Sequence, residues 1–146
     1  MRGRMQKLLD LGIVCQRYAI ALVYLYGSKA EEGLQYLRGE NIKIDDRLTD
    51  IDVGVVFKEP LPPPEKRYKL YSSVFNEFEE LFRPLPLDLV FLEEGHSVFQ
   101  CEALKGYCVY SIDKVFKENY EEMILRRAAD FRPFLERYLK EALEEA

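Results

Sequence analysis

Three aspartates are spaced along the sequence so that their carboxylates could bind a metal ion. Asp50 and Asp52 stand one residue apart at the start of an apolar run that continues to Phe57. Because strand side chains alternate between faces, both carboxylates would project to the same side of a sheet. Asp88 stands in a similar way near the start of a second apolar run, residues 87–92. An ionised carboxylate in a buried strand is costly unless it is paired or bound to a metal.

Carboxylate oxygens in such an arrangement suit Mg²⁺, which binds through one or two carboxylates, its own waters and substrate phosphates. We therefore predict that Asp50, Asp52 and Asp88 are metal ligands and catalytic residues. Two alternatives stay open. The first pair could be solvated acids at the start of a surface strand, and Asp88 could be a turn residue after the preceding proline.

A turn that could hold phosphate precedes these acids. The apolar run over residues 20–26 stops at Gly27, which lets a backbone turn sharply and approach a ligand closely. Ser28 is a good N-cap for a following helix. Backbone N–H groups at such a helix start favour phosphate oxygens. We predict that Gly27, Ser28 and Lys29 bind a nucleotide, although Lys29 could equally be an exposed helix lysine.

Length and composition restrict the class of protein. The 146 residues fit one domain, residues 1–146, and the apolar share of 48% with 32% charged residues indicates a folded chain. The net charge of −5 excludes a general nucleic-acid binder, which usually carries the opposite sign. We expect no membrane span, since no apolar run is long enough. Three cysteines without a signal peptide favour the cytoplasm.

The hydrophobic spacing predicts an α/β fold: a small mixed β-sheet with packed helices and a helical C-terminal region from about residue 113. The first helix is expected over residues 4–19, where one set of residues follows a helical stripe (Met5, Leu8, Leu9, Gly12, Ile13 and, as a further candidate, Gln16). The expected strands are residues 20–26, 50–57, 87–92 and 107–111, and the other expected helices are residues 30–38, 65–82 and 98–105.

The segment before the aspartate strand is the hardest to assign. Ile44 and Leu48 alternate with polar residues, which is typical of a short edge strand or an ordered loop. Asp45 and Asp46 are interpreted as loop carboxylates, because neighbours in an extended segment point in different directions.

The C-terminal region carries two apolar stripes. The first is expected to face inward (Phe116, Tyr120, Met123, Ile124, Ala128). Pro133 would remove a helical hydrogen bond, so a kink or a fresh helix start is expected there. The stripe beyond it could be covered by a partner protein (Phe134, Leu135, Tyr138, Leu139, Ala142, Leu143). The oligomeric state stays open, an oligomer included.

In their order along the chain, Gly27-Ser28, Asp50-x-Asp52 and Asp88 resemble the signature of the minimal nucleotidyltransferases, the MNT-type proteins of the DNA polymerase β superfamily. The similarity extends over most of the chain and includes the C-terminal segments 106–113 and 129–135. The spacer over residues 29–49 is longer than is usual in the family, and such an insertion can loop out at little thermodynamic cost.

The resemblance implies a nucleotidyltransferase-type sheet and Mg²⁺-dependent transfer of AMP from ATP. Resemblance to the MntA-type antitoxins also implies a HEPN-domain toxin as partner, with one of its tyrosines as the acceptor. Two alternatives remain: a catalytically idle antitoxin that acts by steric contact, and an adenylyltransferase for a small molecule. A nucleic-acid polymerase is disfavoured by the acidic chain.

Overall fold

The computed structural model describes residues 2–42 and 49–145, with side chains described for 6–42 and 49–144. The predicted α/β class, with a small mixed sheet and packed helices, is confirmed. The chain order is α1 (Arg2–Arg17), β1 (Ile20–Tyr26), α2 (Ala30–Leu37), β2 (Ile51–Phe57), α3 (Pro64–Phe82), β3 (Leu87–Phe91), a 3₁₀ turn (Leu92–Glu94), α4 (Ser97–Leu104), β4 (Tyr107–Ser111) and α5 (Lys114–Glu145). The assignments for Ile44, Leu48, Asp45 and Asp46 lie outside the described residues.

The sheet has the strand order β3-β2-β1-β4. β1 is antiparallel to both β2 and β4, whereas β2 and β3 are parallel. The end of β1 therefore lies beside the starts of β2, β3 and β4. We call this the site end of the sheet, and the opposite end the far end.

The two faces of the sheet are buried against different helices. Ile51, Val53, Val55 and Phe57 of β2 belong to a core with residues of α1 and α3, as their alternation predicts. Val56 belongs to a second core on the opposite face. That core contains residues of α4 and α5 (Ala103, Tyr120, Ile124). The polar residues at the start of β2 are thus followed by a stretch of strand that is buried on both faces.

Of the stripe predicted on α1, Leu8 packs against the core but other members are exposed. Leu9 is 58% exposed and Ile13 is 55% exposed, whereas Leu11, Val14 and Cys15 are buried. Both sets recur at helical intervals, so spacing alone does not decide which of them faces the sheet.

Helix α5 is continuous through Pro133, so of the two predictions there, a kink or a fresh start, the fresh start is wrong. In its first half Tyr120, Ile124 and Ala128 are buried, but Met123 is 38% exposed. No side chain from residue 129 to residue 144 is buried. The exposed apolar stripe of this second half comprises Phe131, Phe134, Tyr138, Leu139 and Leu143. No helix in the described part of the chain is both long and apolar enough to cross a membrane.

Candidate active site

The site end of the sheet brings two of the predicted aspartates together. Asp52 of β2 is the register partner of Asp88 on β3 and of Tyr26 on β1. Side chains at directly opposed positions project to the same face, so these three groups form one row across adjacent strands. Asp50 lies immediately before β2, close enough for its charge to act on Asp52.

The charges in this row oppose one another. Burial raises the pKa of Asp52 above its usual range, and the negative charges of Asp88 and Asp50 raise it further. Burial, followed by the charges of Asp52 and Asp88, raises the pKa of Tyr26 to about 12. Asp50 and Asp88 are exposed, and Asp52 is half-buried. A cation placed among these carboxylates would offset the repulsion.

The donor set fits a hard divalent cation, because all its atoms are carboxylate oxygens. Among residues 6–42 and 49–144, no three His, Cys, Asp or Glu side chains stand close enough together to hold a metal ion as they are placed. Asp50, Asp52 and Asp88 are therefore neighbours rather than a closed cage. Mg²⁺ needs only one or two carboxylates, with waters and substrate phosphates completing its coordination.

The turn after β1 is shaped by Gly27. Its φ of +77° is a conformation that L side chains rarely adopt, and a Cβ at this position would run into Asp52 Oδ2. The backbone of the predicted phosphate turn thus passes directly against a predicted metal ligand. Only a glycine allows both the turn and this close approach.

The predicted N-cap role of Ser28 is wrong. Helix α2 begins at Ala30, and the cap position belongs to Lys29, whose side chain makes no capping hydrogen bond. Ser28 lies in the turn, where it is exposed, and Lys29 is half-buried. The turn closes with a hydrogen bond from Ala30 N–H to the Gly27 carbonyl at 3.4 Å. Gly27 contacts the row of aspartates at Asp52, and Ser28 and Lys29 follow it in the chain.

Sequence reasoning missed one wall of the site. A cavity of about 430 Å³ opens beside the turn and is lined by Ser28 together with Lys105, Gly106 and Tyr107. No local pattern marks these three residues, because their position depends on the pairing of β4 with β1. Tyr26 was also missed, although its place directly before Gly27 offered a signal.

The fold and this site agree with a comparison against protein families. The family model described as polymerase beta, nucleotidyltransferase, matches residues 11–115. The chain belongs to this nucleotidyltransferase family. The matched range contains the Gly-Ser turn and the three aspartates, so the site lies within the family domain.

Solved structures show the same fold. A chain of the tri-AMPylated Shewanella oneidensis HEPN toxin in complex with MNT antitoxin aligns with a TM-score of 0.56 and 12% identity, covering 97% of each chain. A chain of a toxin–antitoxin structure with AMP-PNP aligns with a TM-score of 0.57 and 14% identity, covering 94% of this chain and 96% of that one. A chain of the MntA–HepT toxin–antitoxin aligns with a TM-score of 0.54 and 13% identity, covering 96% of each. A search of curated protein sequences finds no match.

Proposed function

We propose that this chain is a Mg²⁺-dependent nucleotidyltransferase that transfers AMP from ATP to a tyrosine hydroxyl of a HEPN-type toxin, and so acts as its antitoxin. The observation that carries the proposal is the row formed by Asp52 and Asp88 in register, with Asp50 beside them and Gly27 against Asp52. Membership of the nucleotidyltransferase family supports the reaction class. The fold is shared with chains of toxin–antitoxin structures, one of which contains a tri-AMPylated HEPN toxin. This likeness supports a HEPN-type toxin as the partner and as the acceptor of AMP.

In this mechanism Asp50, Asp52 and Asp88 would hold Mg²⁺, which when bound neutralises phosphate charge and stabilises the attacking and leaving oxygens. The Gly27–Ser28 turn donates hydrogen bonds to phosphate oxygens from its backbone N–H groups and from the Ser28 hydroxyl. These groups position the α-phosphate over Asp52, next to the exposed Asp88.

Asp88 accepts the proton of the incoming hydroxyl, since it lies in the row and is open to an acceptor arriving from solution. The hydroxyl oxygen then bonds to the α-phosphorus. The bond from that phosphorus to the bridging oxygen breaks, and its electron pair leaves with pyrophosphate. Positioning and charge neutralisation supply most of the rate enhancement in such a site.

The second half of α5 supports a protein acceptor over a small molecule. Phe134, Tyr138 and Leu143 are each at least two-thirds exposed, at 67%, 68% and 77%. Apolar side chains repeated along one exposed helix are typical of a surface that another protein covers. A small-molecule acceptor would give this stripe no role.

The direct test combines the purified chain with ATP, Mg²⁺ and the HEPN-type protein encoded by a neighbouring reading frame. We expect mass spectrometry of the HEPN-type protein to show AMP on a tyrosine. The double variant Asp50→Asn/Asp52→Asn should transfer none while keeping the circular dichroism spectrum of the wild type. Glu79→Gln/Glu80→Gln, which removes two exposed carboxylates of α3, serves as the matched control and should transfer normally.

Three results would contradict parts of the proposal. Full transfer by the double variant would remove Asp50 and Asp52 as ligands. Neutralisation of the toxin by a wild-type chain that transfers nothing would identify an idle antitoxin. If AMP were found only on added small molecules, the acceptor would be a small molecule and not a toxin tyrosine.

A further inference from the structure

The cavity beside the Gly-Ser turn exists because β4 starts very close to the end of β1. A Cβ on Gly106 would run into the Leu25 carbonyl and would lie 2.8 Å from Tyr26 Cα. Only a glycine permits this approach, and Lys105, the residue before it, lines the same cavity as Ser28. The resulting space of about 430 Å³ is continuous with the turn that the proposed function assigns to phosphate.

The strand order arranges the groups of the site in a line. Across the site end, β3 carries Asp88, β2 carries Asp52, β1 ends at the Gly27 turn, and β4 begins beside the cavity. An in-line displacement at phosphorus places the attacking and leaving oxygens on opposite sides of the phosphorus. With the acceptor hydroxyl at Asp88, the leaving group must therefore point across β1, toward the cavity.

Lys105 is the residue in this wall that suits a polyphosphate. Of the described residues that line the cavity, it alone carries a positive charge, and Glu31 and Glu102 carry negative charges. Its ammonium lies 2.9 Å from Glu102 Oε1, and its side chain is 66% exposed. The hydrogen bond with Glu102 raises the pKa of Lys105, so the amine stays protonated. Apart from this lysine, the charged side chains that line the cavity are carboxylates, Glu31 and Glu102.

We propose that this cavity receives the β- and γ-phosphates of the nucleoside triphosphate and that Lys105 Nζ donates hydrogen bonds to the leaving pyrophosphate. The inference rests on the proposed function, and it assigns Lys105 to the departure of pyrophosphate in that reaction. As the bond between the α-phosphorus and the bridging oxygen breaks, negative charge accumulates on pyrophosphate. Lys105 neutralises that charge, while the proton of the acceptor hydroxyl remains at Asp88.

The test measures binding, so it does not depend on turnover. Dissociation constants for ATP, AMP and inorganic pyrophosphate, each with Mg²⁺, are compared for the wild type, Lys105→Met and Lys105→Arg. A charge-assisted hydrogen bond lost from phosphate should weaken ATP and pyrophosphate binding about tenfold or more. AMP binding should change less than about twofold, since AMP lacks the β- and γ-phosphates. Lys105→Arg should restore most of the loss.

Two further variants sharpen the test. Lys114→Met is the matched control, because Lys114 is 85% exposed and also pairs with a glutamate on its own helix, Glu118, at 3.7 Å. It should bind all three ligands as the wild type does. Glu31→Gln removes a negative charge from the cavity and should tighten pyrophosphate binding.

The outcomes separate this inference from the proposed function. Lys105-dependent pyrophosphate binding by a chain that transfers no AMP would support the cavity assignment and contradict the transferase. Transfer of AMP with unchanged ATP and pyrophosphate binding in Lys105→Met would overturn the cavity assignment and leave the transferase standing. An equal loss of AMP and pyrophosphate binding would also overturn the assignment, since Lys105 would then act on the nucleoside or on the fold.

Discussion

Carboxylates at the two ends of the same sheet have different surroundings. At the far end, Glu93 accepts a hydrogen bond from Phe57 N–H at 2.9 Å, and Asp113 accepts one from Phe116 N–H at 2.6 Å. At the site end, Asp52 has two other carboxylates as its charged neighbours. Within residues 6–42 and 49–144, no hydrogen bond or ion pair joins the Asp50, Asp52 or Asp88 side chain to a donor.

This difference separates stability from function within one sheet. A carboxylate that accepts a backbone N–H satisfies a donor that the fold would otherwise leave unpaired. Carboxylates that face one another oppose folding and are retained where a ligand must arrive. Removing a charge should therefore cost activity at the site end and change stability at the far end.

The largest expected effect is that of Asp52→Asn. Loss of the central carboxylate should reduce AMP transfer on the order of 10³-fold, because it removes a fixed charge from the reacting centre. The thermal midpoint should stay the same or rise, since the substitution relieves repulsion from Asp50 and Asp88. Transfer assays and thermal unfolding measure the two quantities in parallel. An active variant, or one with a markedly lower midpoint, would contradict the contrast between the two ends.

The next effect in size is that of Gly27→Ala. The new Cβ would press on Asp52 Oδ2, and the φ of +77° costs a non-glycine residue about 1–2 kcal/mol. Displacement of a ligand by about 1 Å lowers the rate on the order of 10²-fold. Gly95→Ala is the matched control at the far end, where an added Cβ meets its nearest atom, the Leu92 carbonyl oxygen, at an ordinary 3.5 Å.

We expect Gly95→Ala to retain wild-type transfer and to change the free energy of unfolding by less than about 0.5 kcal/mol. Equal losses of activity in the two glycine variants would show that the Gly27 result reflects general destabilisation.

Local signals account for the residues that the sequence assigns to the candidate site. Gly27 ends an apolar run, and Asp50 and Asp52 are separated by one residue, so each is recognisable within a few positions. The register of Asp52 with Asp88 depends on the pairing of β2 with β3, but each acid is recognisable locally because each is the second residue of its strand. The α/β class follows from the same alternating and helical spacings.

The features that were missed depend on long-range packing. Lys105 joins the site only because β4 pairs with β1, across about eighty residues of sequence. The exposure of Leu9 on the predicted stripe of α1 has the same origin, since Leu9 and Leu11 both lie on helical repeats and packing on the sheet selects between them. The exposed second half of α5 has the apolar spacing of a core helix. Spacing alone therefore does not reveal whether its apolar side chains pack against the same chain or against another protein.

At the far end, Asp113→Ala tests a carboxylate that supports the fold. Asp113 directly precedes α5 and accepts the N–H of Phe116, the third residue of the helix, so it is an N-cap. Its removal should cost about 1 kcal/mol and lower the thermal midpoint by about 2–4 °C, without reducing AMP transfer by the remaining folded protein. Asp113→Asn should keep most of the stability, because its amide oxygen can still cap the helix.

The control for this pair is Asp130→Ala, an exposed aspartate later in the same helix. Its substitution should leave the midpoint almost unchanged. If Asp113→Ala and Asp130→Ala lowered the thermal midpoint by similar amounts, the cause would be the loss of a negative charge on the helix rather than the loss of the cap.

The smallest expected effect, that of Glu93→Gln, depends on pH. Burial is the main cause that raises the pKa of Glu93 above its usual range, with a further rise from Glu94, whereas the hydrogen bond from Phe57 N–H and the charge of Arg67 oppose it. A raised pKa in the folded state means that the native protein holds this proton more tightly than the unfolded chain. The contribution of Glu93 to stability therefore falls as pH rises from the unfolded pKa, near 4.5, to the higher folded pKa.

Glutamine keeps an acceptor for Phe57 N–H and carries no charge, so it removes this fall. The thermal midpoint of Glu93→Gln relative to the wild type should accordingly be higher at pH 7 than at pH 4, by a few degrees at most. Any contribution of Asp52 to the pH dependence is present in both proteins and cancels in the difference. A relative midpoint that drops between pH 4 and pH 7 would mean that the hydrogen bond to the ionised carboxylate outweighs its burial, and the far end would then depend on charge more strongly than its geometry indicates.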